Sequence, residues 1–533
     1  MNREEHVARL KGESYDILVI GGGATGTGVA LDAAARGLKT ALVERSDFAA
    51  GTSSRSTKLI HGGVRYLEKA VKHLDRTQFN LVRDALKERA VLIKIAPHLA
   101  KPIPLVTPLY NILEVPYFMT GLKMYDWLAG KTNLHPSKFV DAKEALNRFP
   151  MLKEEGLRGG VVYYDGQFDD ARMNVSLALT AAEQGAALAN HVEVTHLVKT
   201  DGKVTGAGVQ DTLSEDSWEI SAKVVVNATG PFTDVIRHMD DPNAKKMLTA
   251  SSGAHIILDE RFSPPETGLL IPETEDGRVL FLLPWLGHTL VGTTDDPAEI
   301  QENPRAQEEE IEYILRHVRK YFSIPVDRDD VMAAWSGLRP LVSDPDASDT
   351  AGLSRDHVIN ISDGGLLTIA GGKWTTYRKM ALDTVNEARK LGDLGGSPEP
   401  QTENLKLVGG ENYSPNGTAD LQDKHGFDLD VASYLNRAYG DRADRVATIA
   451  SEGYGERLAP NHAYLEAEVL YGARLEAARS TVDILARRTR LGFLDKEATL
   501  AAIERVSELL AQELSWDSEK TMLDREEARD YFA

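Results

Sequence analysis

The sequence contains no cysteine. That absence excludes disulfides, thiolate metal sites, iron–sulfur clusters and a cysteine nucleophile, and no metal site is expected. Positive charge is the scarcer sign: 61 Lys and Arg face 81 Asp and Glu, a formal net charge of −20. Nucleic acid is not expected as a partner, because binding it calls for a dense basic face. An electrostatic membrane attachment over the whole surface is not expected either, although one patch remains open to it. Long apolar runs are missing as well. The nearest approach, residues 102–122, carries only Glu114 as a charge but is interrupted by Pro102, Pro104, Pro108 and Pro116, so no spanning helix is expected. The first ten residues hold Arg3, Glu4, Glu5 and Arg9 without an apolar core, which argues against a secretory signal or transit peptide. A cytoplasm-facing chain is the default. No repeats or low-complexity tracts occur. What is present is 533 residues with 42% hydrophobic side chains, enough for real cores and about three or four domains.

The first stretch that carries chemistry opens with Tyr15–Ile20, a β-rich run suited to a buried parallel strand. It leads into Gly21-Gly22-Gly23-Ala24-Thr25-Gly26, where Gly21, Gly23 and Gly26 satisfy G-x-G-x-x-G. Val29 to Arg36 are good helix formers closed by Gly37, and Thr40–Val43 reads as a second strand ending on Glu44, 18 residues past Gly26. Glycines permit the tight turn and the close approach of backbone to a pyrophosphate. The helix start supplies N–H donors, and the acid accepts from a ribose hydroxyl. Dinucleotide binding follows, without deciding between NAD and FAD.

Two later segments favour FAD. Lys223–Gly230 is a strand running into Ala228-Thr229-Gly230, and Leu366–Tyr377 is a strand running into Gly371-Gly372-Lys373 at a helix start. Such turns leave backbone N–H groups free for an anionic or carbonyl-rich ligand. Three approaches spread from residue 21 to residue 377 suit a long ligand wrapped by a discontinuous domain.

Several further motifs are specific. They are Gly51-Thr52-Ser53-Ser54, Lys58-Leu59-Ile60-His61-Gly62-Gly63-Val64-Arg65-Tyr66-Leu67, Asp169-Asp170-Ala171-Arg172, Gly292-Thr293-Thr294-Asp295, Ser336-Gly337-Leu338-Arg339-Pro340 and Gly371-Gly372-Lys373-Trp374-Thr375-Thr376-Tyr377-Arg378. With these, the chain resembles the FAD-dependent glycerol-3-phosphate dehydrogenases, within the D-amino-acid-oxidase-like flavoprotein fold, over nearly its whole length. Tyr163-Tyr164-Asp165-Gly166-Gln167 and Met124–Gly130 look closest to the mitochondrial branch. That branch's calcium-binding extension is not expected, since no D-x-[DN]-x-[DN]-G loop occurs.

The resemblance implies oxidation of sn-glycerol 3-phosphate to dihydroxyacetone phosphate by hydride transfer to FAD. Electrons would then pass to ubiquinone or menaquinone at a membrane surface, in glycerol catabolism and respiratory electron supply. A glycerol-3-phosphate oxidase using oxygen is the alternative, and a homodimer is a family expectation. Such a site needs cations for the phosphate and a base for the hydroxyl proton. Arg65 (with Tyr66), Arg339 and Lys373 sit in glycine-rich or apolar contexts where a solvated cation is unexpected, and a guanidinium fork suits phosphate. Lys373 has two functional readings, phosphate contact or stabilisation of reduced-flavin charge. His61 and His255 are the base candidates; which of them takes the proton stays open, and His255 is also placed at the substrate.

For the cofactor, the resemblance assigns Gly21, Gly23 and Gly26, with Gly22 and Thr25 in the same turn, to the pyrophosphate, and Glu44 to the adenosine ribose. Thr52, Ser53 and Lys58 would line the path towards the ring, and Val194 would meet the adenine by its backbone. Thr229 and Gly230 form the second approach. Gly371, Gly372, Lys373, Thr375 and Thr376, with His61, would lie at the isoalloxazine and ribityl end. Without cysteine, a flavin–cysteine bond is excluded and the FAD is expected to be non-covalent.

The expected architecture is α/β plus α+β. A Rossmann-like FAD-binding domain (14–100, 155–250 and 346–393) stands beside an antiparallel-sheet substrate or cap domain (101–154 and 251–345). A C-terminal helical domain (401–533) completes it. Asp169-Asp170 caps a helix to Gln184, closed by Gly185; Val192–Val209 reads as two strands around Asp201-Gly202; His255–Leu258, Val279–Leu283 and Thr289–Gly292 read as strands of the second sheet; Gly395–Pro400 reads as a linker; and Leu465–Leu514 is helix-rich. Lys101–Lys131, with Leu109, Tyr110, Ile112, Leu113, Tyr117, Phe118, Met119 and Trp127 between flanking lysines, is the candidate for peripheral contact with the cell membrane. A buried cap subdomain is the competing reading. Arg487, Arg488 and Arg490 read as an interdomain ion-pair network.

Overall fold

The computed structural model describes residues 1–63, 76–342, 357–395, 399 and 401–533; Arg65, Tyr66 and most of the expected 395–400 linker lie outside them. Tyr15–Ile20 is a central strand of a sheet that has eight strands among the described residues, and its Ile17, Leu18 and Val19 are fully buried. Its unbroken apolar run is what a strand covered on both faces requires. Thr40–Val43 and Ser217–Asn227 pair with it in parallel, one on each side. Ala187–Ala189 extends one edge, and Leu367–Gly371 followed by His357–Ile361 extends the other. Val192–Thr200 and Lys203–Asp211 form a hairpin that continues from Ser217–Asn227. Asp201 and Gly202 both have positive φ, 49° and 76°, as a two-residue hairpin turn matched to strand twist demands.

The helix after the first strand begins at Ala24, inside the glycine-rich turn, rather than at Val29. Ser53 Oγ accepts from the Ala24 N–H and Thr27 Oγ1 donates to Gly23 O, so side chains complete a first turn for which local propensity is poor. The Asp170–Glu183 helix is capped by Asp169, whose carboxylate accepts from Arg172 N, and Gly185 follows with φ 98°.

Among the described residues the second sheet has ten strands, with the order Asp296–Ala298, Leu248–Leu258, His288–Gly292, Leu280–Trp285, Gly268–Ile271, Ala100–Leu109, Gly159–Phe168 and Leu59–Ile60 along its main path. Val331–Val342 also joins Leu248–Leu258, and Lys138–Asp141 joins Gly159–Phe168. Its pairs are antiparallel except Gly268–Ile271 with Ala100–Leu109. Leu59–Ile60 and Gly159–Phe168, assigned from the sequence to the dinucleotide unit, belong to this sheet. The reason is the long register between Ala100–Leu109 and Gly159–Phe168, which runs from Ala100 opposite Phe168 to Leu109 opposite Gly159.

That pairing also corrects the membrane-contact expectation. Residues 100–109 form an interior strand, with Leu105, Val106 and Leu109 fully buried. Pro102, Pro104 and Pro108 share one parity, so their missing N–H groups fall on one side of the strand. Only the continuation is superficial. The Val115–Ala129 helix and the turn before it expose Leu113 (80%), Tyr117 (51%) and Trp127 (72%).

The C-terminal part is helical, from Gly417–His425 to Ser518–Phe532. Its apolar side chains form one continuous core with the second sheet, in which Trp335 packs against Phe493 with ring centroids 5.2 Å apart. Arg487, Arg488 and Arg490 are buried and reach back to the dinucleotide fold. Arg487 and Arg488 bind Asp47 at 2.6 and 2.8 Å, and Arg490 bonds Ser54 O at 2.7 Å and Asp170 at 3.3 Å. Among the described residues no helix is long and apolar enough to cross a membrane, and no cluster of three or more metal-ligating side chains occurs.

Candidate active site

A cleft of about 240 Å³ runs along the carboxyl ends of the parallel strands, where open α/β sheets hold their ligands. One wall is the first turn, with Gly21, Gly23 and Thr25 lining it and Glu44 at the end of the second strand. Thr52, Ser53, Val194, Thr229 and Gly230 continue it, and Gly371, Gly372 and Lys373 close the other end. Segments about 350 residues apart in sequence thus share one elongated space, the shape a dinucleotide requires.

The turn is built so that backbone, not side chain, faces the cleft. A Cβ on Gly26 would lie 1.9 Å from Gly21 O, so that glycine packs helix against turn instead of lining the space. Gly22 N donates to Glu44 Oε2 at 2.6 Å, and Ser46 N donates to Glu44 Oε1 at 2.9 Å. Burial raises the Glu44 pKa against the effect of these two donors. The start of the Ala24–Ala35 helix opens on the same space and directs its positive dipole end there. Glycine-framed backbone, a helix start and an acid at the end of the second strand fit the dinucleotide part of FAD. At the far end, Gly371 and Gly372 have φ of 76° and 81°, and a Cβ on Gly372 would meet Met380 Sδ.

The remaining sequence candidates lie around this end. Trp374 Nε1 donates to Ser53 O at 2.9 Å, tying the late turn to the early loop. Thr375 and Thr376 are buried; Thr375 Oγ1 accepts from His61 N at 3.2 Å and Thr376 Oγ1 donates to Lys373 O at 3.2 Å. Both are thus struts of the turn. The His61 ring centroid lies 6.3 Å from that of Phe281.

Lys58 does not line the path expected for it. Its ammonium is fully buried, donates to Asp170 Oδ2 at 2.7 Å and Ser54 O at 2.9 Å, and sits 4.6 Å from the Trp335 ring centroid. Burial lowers its pKa to about 7 in spite of Asp170. The fold supplies a carboxylate 112 residues away, which local sequence cannot reveal.

His255 is buried, stacks on Trp335 with centroids 4.2 Å apart, and shares a 3.0 Å hydrogen bond between Nε2 and Thr57 Oγ1. Burial first, then Lys58 and Arg339, holds its pKa well below the usual histidine range, so it is neutral near pH 7. Arg339 is held on the same strand pair. Nη1 donates to Ser252 O and Asp295 Oδ1, both at 3.1 Å, and Nη2 to Thr293 Oγ1 at 3.1 Å and Thr294 O at 3.0 Å. Its neighbour Pro340 lines the cleft, and Thr52 Oγ1 donates to Leu338 O at 2.6 Å.

Sequence reasoning overlooked Thr57, Trp335, Asp295 and Trp374. Asp295 and Trp374 stood inside recognised motifs, whereas Thr57 and Trp335 become legible only once the second sheet sets His255 between them. What the arrangement offers chemically is an anion-accepting cleft ending beside a fixed guanidinium, an ammonium and two imidazoles, walled by aromatic rings.

Comparison with known proteins agrees with this geometry. Residues 16–378 match the FAD dependent oxidoreductase family, and residues 400–521 match the C-terminal domain of alpha-glycerophosphate oxidase. The chain is 50% identical to the mitochondrial glycerol-3-phosphate dehydrogenase of Bos taurus, covering 99% of this chain and 75% of that protein. It is 49% identical to the mitochondrial glycerol-3-phosphate dehydrogenase of Arabidopsis thaliana, covering 98% and 87%. Its fold matches the crystal structure of the glycerol-3-phosphate dehydrogenase from Bacillus halodurans complexed with FAD, with a TM-score of 0.81, 32% identity and coverage of 99% and 97%.

Proposed function

The chain belongs to the FAD-dependent oxidoreductase family, in its glycerol-3-phosphate dehydrogenase branch, and on that premise we propose that it oxidises sn-glycerol 3-phosphate to dihydroxyacetone phosphate and delivers the electrons to a membrane quinone. The observation that carries the reading is the single cleft joining the Gly21–Gly26 turn and Glu44 to Gly371-Gly372-Lys373, with Arg339 anchored beside it.

When bound, FAD supplies the two-electron acceptor for the substrate's C2–H bond. The residues of the chain do the rest. Arg339 meets the phosphate. Its fork is pre-set by Thr293, Thr294 and Ser252, so little side-chain entropy is lost on binding. Lys373, at the mouth of the glycine turn, places an ammonium near the charge that the cofactor's far end gains. His61 takes the hydroxyl proton. His255, neutral and held by Thr57 and Trp335, orients the substrate hydroxyls. Trp335 and Phe281 limit water beside the imidazoles, which strengthens these polar contacts.

For the acceptor side, support comes from the surface at Leu113, Tyr117 and Trp127. Exposed apolar and aromatic side chains near Lys123 and Lys131 suit a helix lying in the interface of a bilayer, on a peripherally attached enzyme. The test is reoxidation. Enzyme reduced without oxygen is mixed in a stopped-flow instrument with quinone-loaded phospholipid vesicles or with oxygenated buffer. Fast recovery of the oxidised spectrum with quinone and slow recovery with oxygen is expected; the reverse makes the chain an oxidase that yields peroxide.

A further inference from the structure

The same surface helix buries Leu122, Tyr125 and Ala129, and the Tyr125 side chain ends on the loop carrying His61. Tyr125 is 1% exposed. Its hydroxyl accepts from Gly62 N at 2.8 Å and donates to Asp165 Oδ1 at 2.8 Å. Asp165, also buried, accepts from Arg89 Nη1 at 2.7 Å, and a second bond from Arg89 Nη1 goes to Tyr164 O at 3.0 Å. Three elements, the helices Val115–Ala129 and Arg76–Ile95 and the strand Gly159–Phe168, thus converge on one backbone amide.

A loop amide is ordinarily satisfied by main chain or water. A buried Arg–Asp–Tyr chain is costly unless every member is bonded, so its use on a single N–H needs a reason. The contact is also close: a Cβ on Gly62 would lie 2.9 Å from both the Tyr125 hydroxyl and Leu86 Cγ. From the other side, His61 N is held by Thr375 Oγ1 at 3.2 Å. Successive amides are therefore pinned by two different elements, with the His61 side chain between them. Burial and the neighbouring Asp165 raise the Tyr125 pKa well above the usual tyrosine value, so the hydroxyl keeps its proton and serves as donor and acceptor together.

We propose that Tyr125 is a positioning residue: through its hydroxyl, held by Asp165 and Arg89, it fixes the Gly62 amide and thereby aims the His61 imidazole at the substrate. This rests on the reading of His61 as the proton acceptor. The role is indirect, because Tyr125 is enclosed by Leu86, Val82 and Ala129 and is not among the residues that line the cleft.

The test compares wild-type holoenzyme with Y125F, D165N, H61N and the double variant Y125F/H61N. Three quantities are read: the rate of anaerobic flavin reduction by glycerol 3-phosphate, hydrogen–deuterium exchange of the peptide containing residues 61–62, and the Kd of dihydroxyacetone phosphate from the flavin difference spectrum. Y125F should slow reduction by about tenfold or more, since small misplacements of a reacting group are costly. It should also speed exchange at residues 61–62 while leaving FAD content and product Kd within about twofold. D165N, which retains an acceptor for Tyr125, should fall between Y125F and wild type. In the H61N background, Y125F should cause no further loss, because coupled residues are non-additive. Reduction of Y125F at the wild-type rate, while H61N is slow, overturns the proposal alone. So does a Y125F loss that is additive with H61N, or loss of FAD from both Y125F and D165N, which would make Tyr125 a strut of the fold. H61N reducing at the wild-type rate instead sinks the His61 reading beneath it.

Discussion

Arg339→Ala removes the guanidinium proposed to meet the substrate phosphate. In the structure the guanidinium is about a quarter exposed and pairs with Asp295 at 3.1 Å. Its other bonds, to Ser252 O, Thr293 Oγ1 and Thr294 O, fix the fork in place. A hydrogen bond to a charged partner contributes about 1.5–3 kcal/mol, so exchanging two of the Nη bonds to Ser252, Asp295, Thr293 and Thr294 for a forked pair to phosphate is worth about 3–6 kcal/mol before the displaced bonds are subtracted. Asp295 already competes for the same guanidinium, which places the net effect at the lower end, about 3 kcal/mol or roughly a hundredfold in KM. Removing Arg339 also leaves the Asp295 carboxylate facing an incoming dianion, which works in the same direction. Steady-state kinetics with an artificial acceptor measures KM, and absorbance near 450 nm measures bound FAD. The expected result is a KM raised about a hundredfold with FAD content unchanged. Arg339→Lys, which keeps charge but loses the fork, should lie about tenfold above wild type. A KM within about threefold of wild type, or FAD loss in parallel with any change, would refute the assignment and leave Arg339 as a structural partner of Asp295.

Four further outcomes are expected. Gly26→Ala places a Cβ 1.9 Å from Gly21 O, so the turn must open; the purified protein should be folded by circular dichroism yet colourless, and a yellow variant would show that the turn is not the pyrophosphate cradle. Arg488→Met removes a fully buried guanidinium bonded to Asp47 and Glu476 O; because Arg487 and Asn190 still satisfy Asp47, the cost should sit near the low end of about 3–5 kcal/mol, read as a lower urea midpoint, and an unchanged midpoint would contradict it. His255 is held neutral by burial, Lys58 and Arg339, so His255→Asn should leave the midpoint of the pH profile of flavin reduction between pH 6 and 8 where it stands, and a shifted midpoint would show that His255 titrates there. Glu468 is buried, accepts from Tyr434 and Tyr439, and has its pKa raised by burial to about 7. The folded chain therefore binds this proton more tightly than the unfolded one, and the contribution is present below about pH 4.5 and lost as pH rises through about 7; Glu468→Gln should flatten the fall in melting temperature between pH 5 and 8, and an identical slope in both proteins would contradict this.

Much of the dinucleotide half was legible in the sequence because its signals are local. Tyr15–Ile20 is apolar throughout because both faces of the strand are covered, and Gly21, Gly23, Gly26 and Glu44 lie within one strand–turn–helix–strand unit. The Asp169 cap and the Asp201-Gly202 turn are equally short-range. Contacts made only by tertiary pairing were not legible. Lys58 looked like a cofactor lysine because nothing nearby announces Asp170, and Gly159–Phe168 gave no hint that its register with Ala100–Leu109 would draw it into the second sheet. The prolines of Ala100–Leu109 read as breakers, although their common parity lets a strand keep them. Tyr125 and Gly62 stand 63 residues apart, and neither advertises the other.

If this cleft holds FAD and oxidises glycerol 3-phosphate beside it, that substrate alone reduces the flavin. The most direct measurement is an anaerobic titration of the yellow holoenzyme with sn-glycerol 3-phosphate, following absorbance near 450 nm, with glycerol and inorganic phosphate as separate controls. The expected result is bleaching that saturates with glycerol 3-phosphate, no bleaching by either control, and dihydroxyacetone phosphate formed in proportion to the flavin reduced. A yellow protein that glycerol 3-phosphate leaves fully oxidised would contradict it.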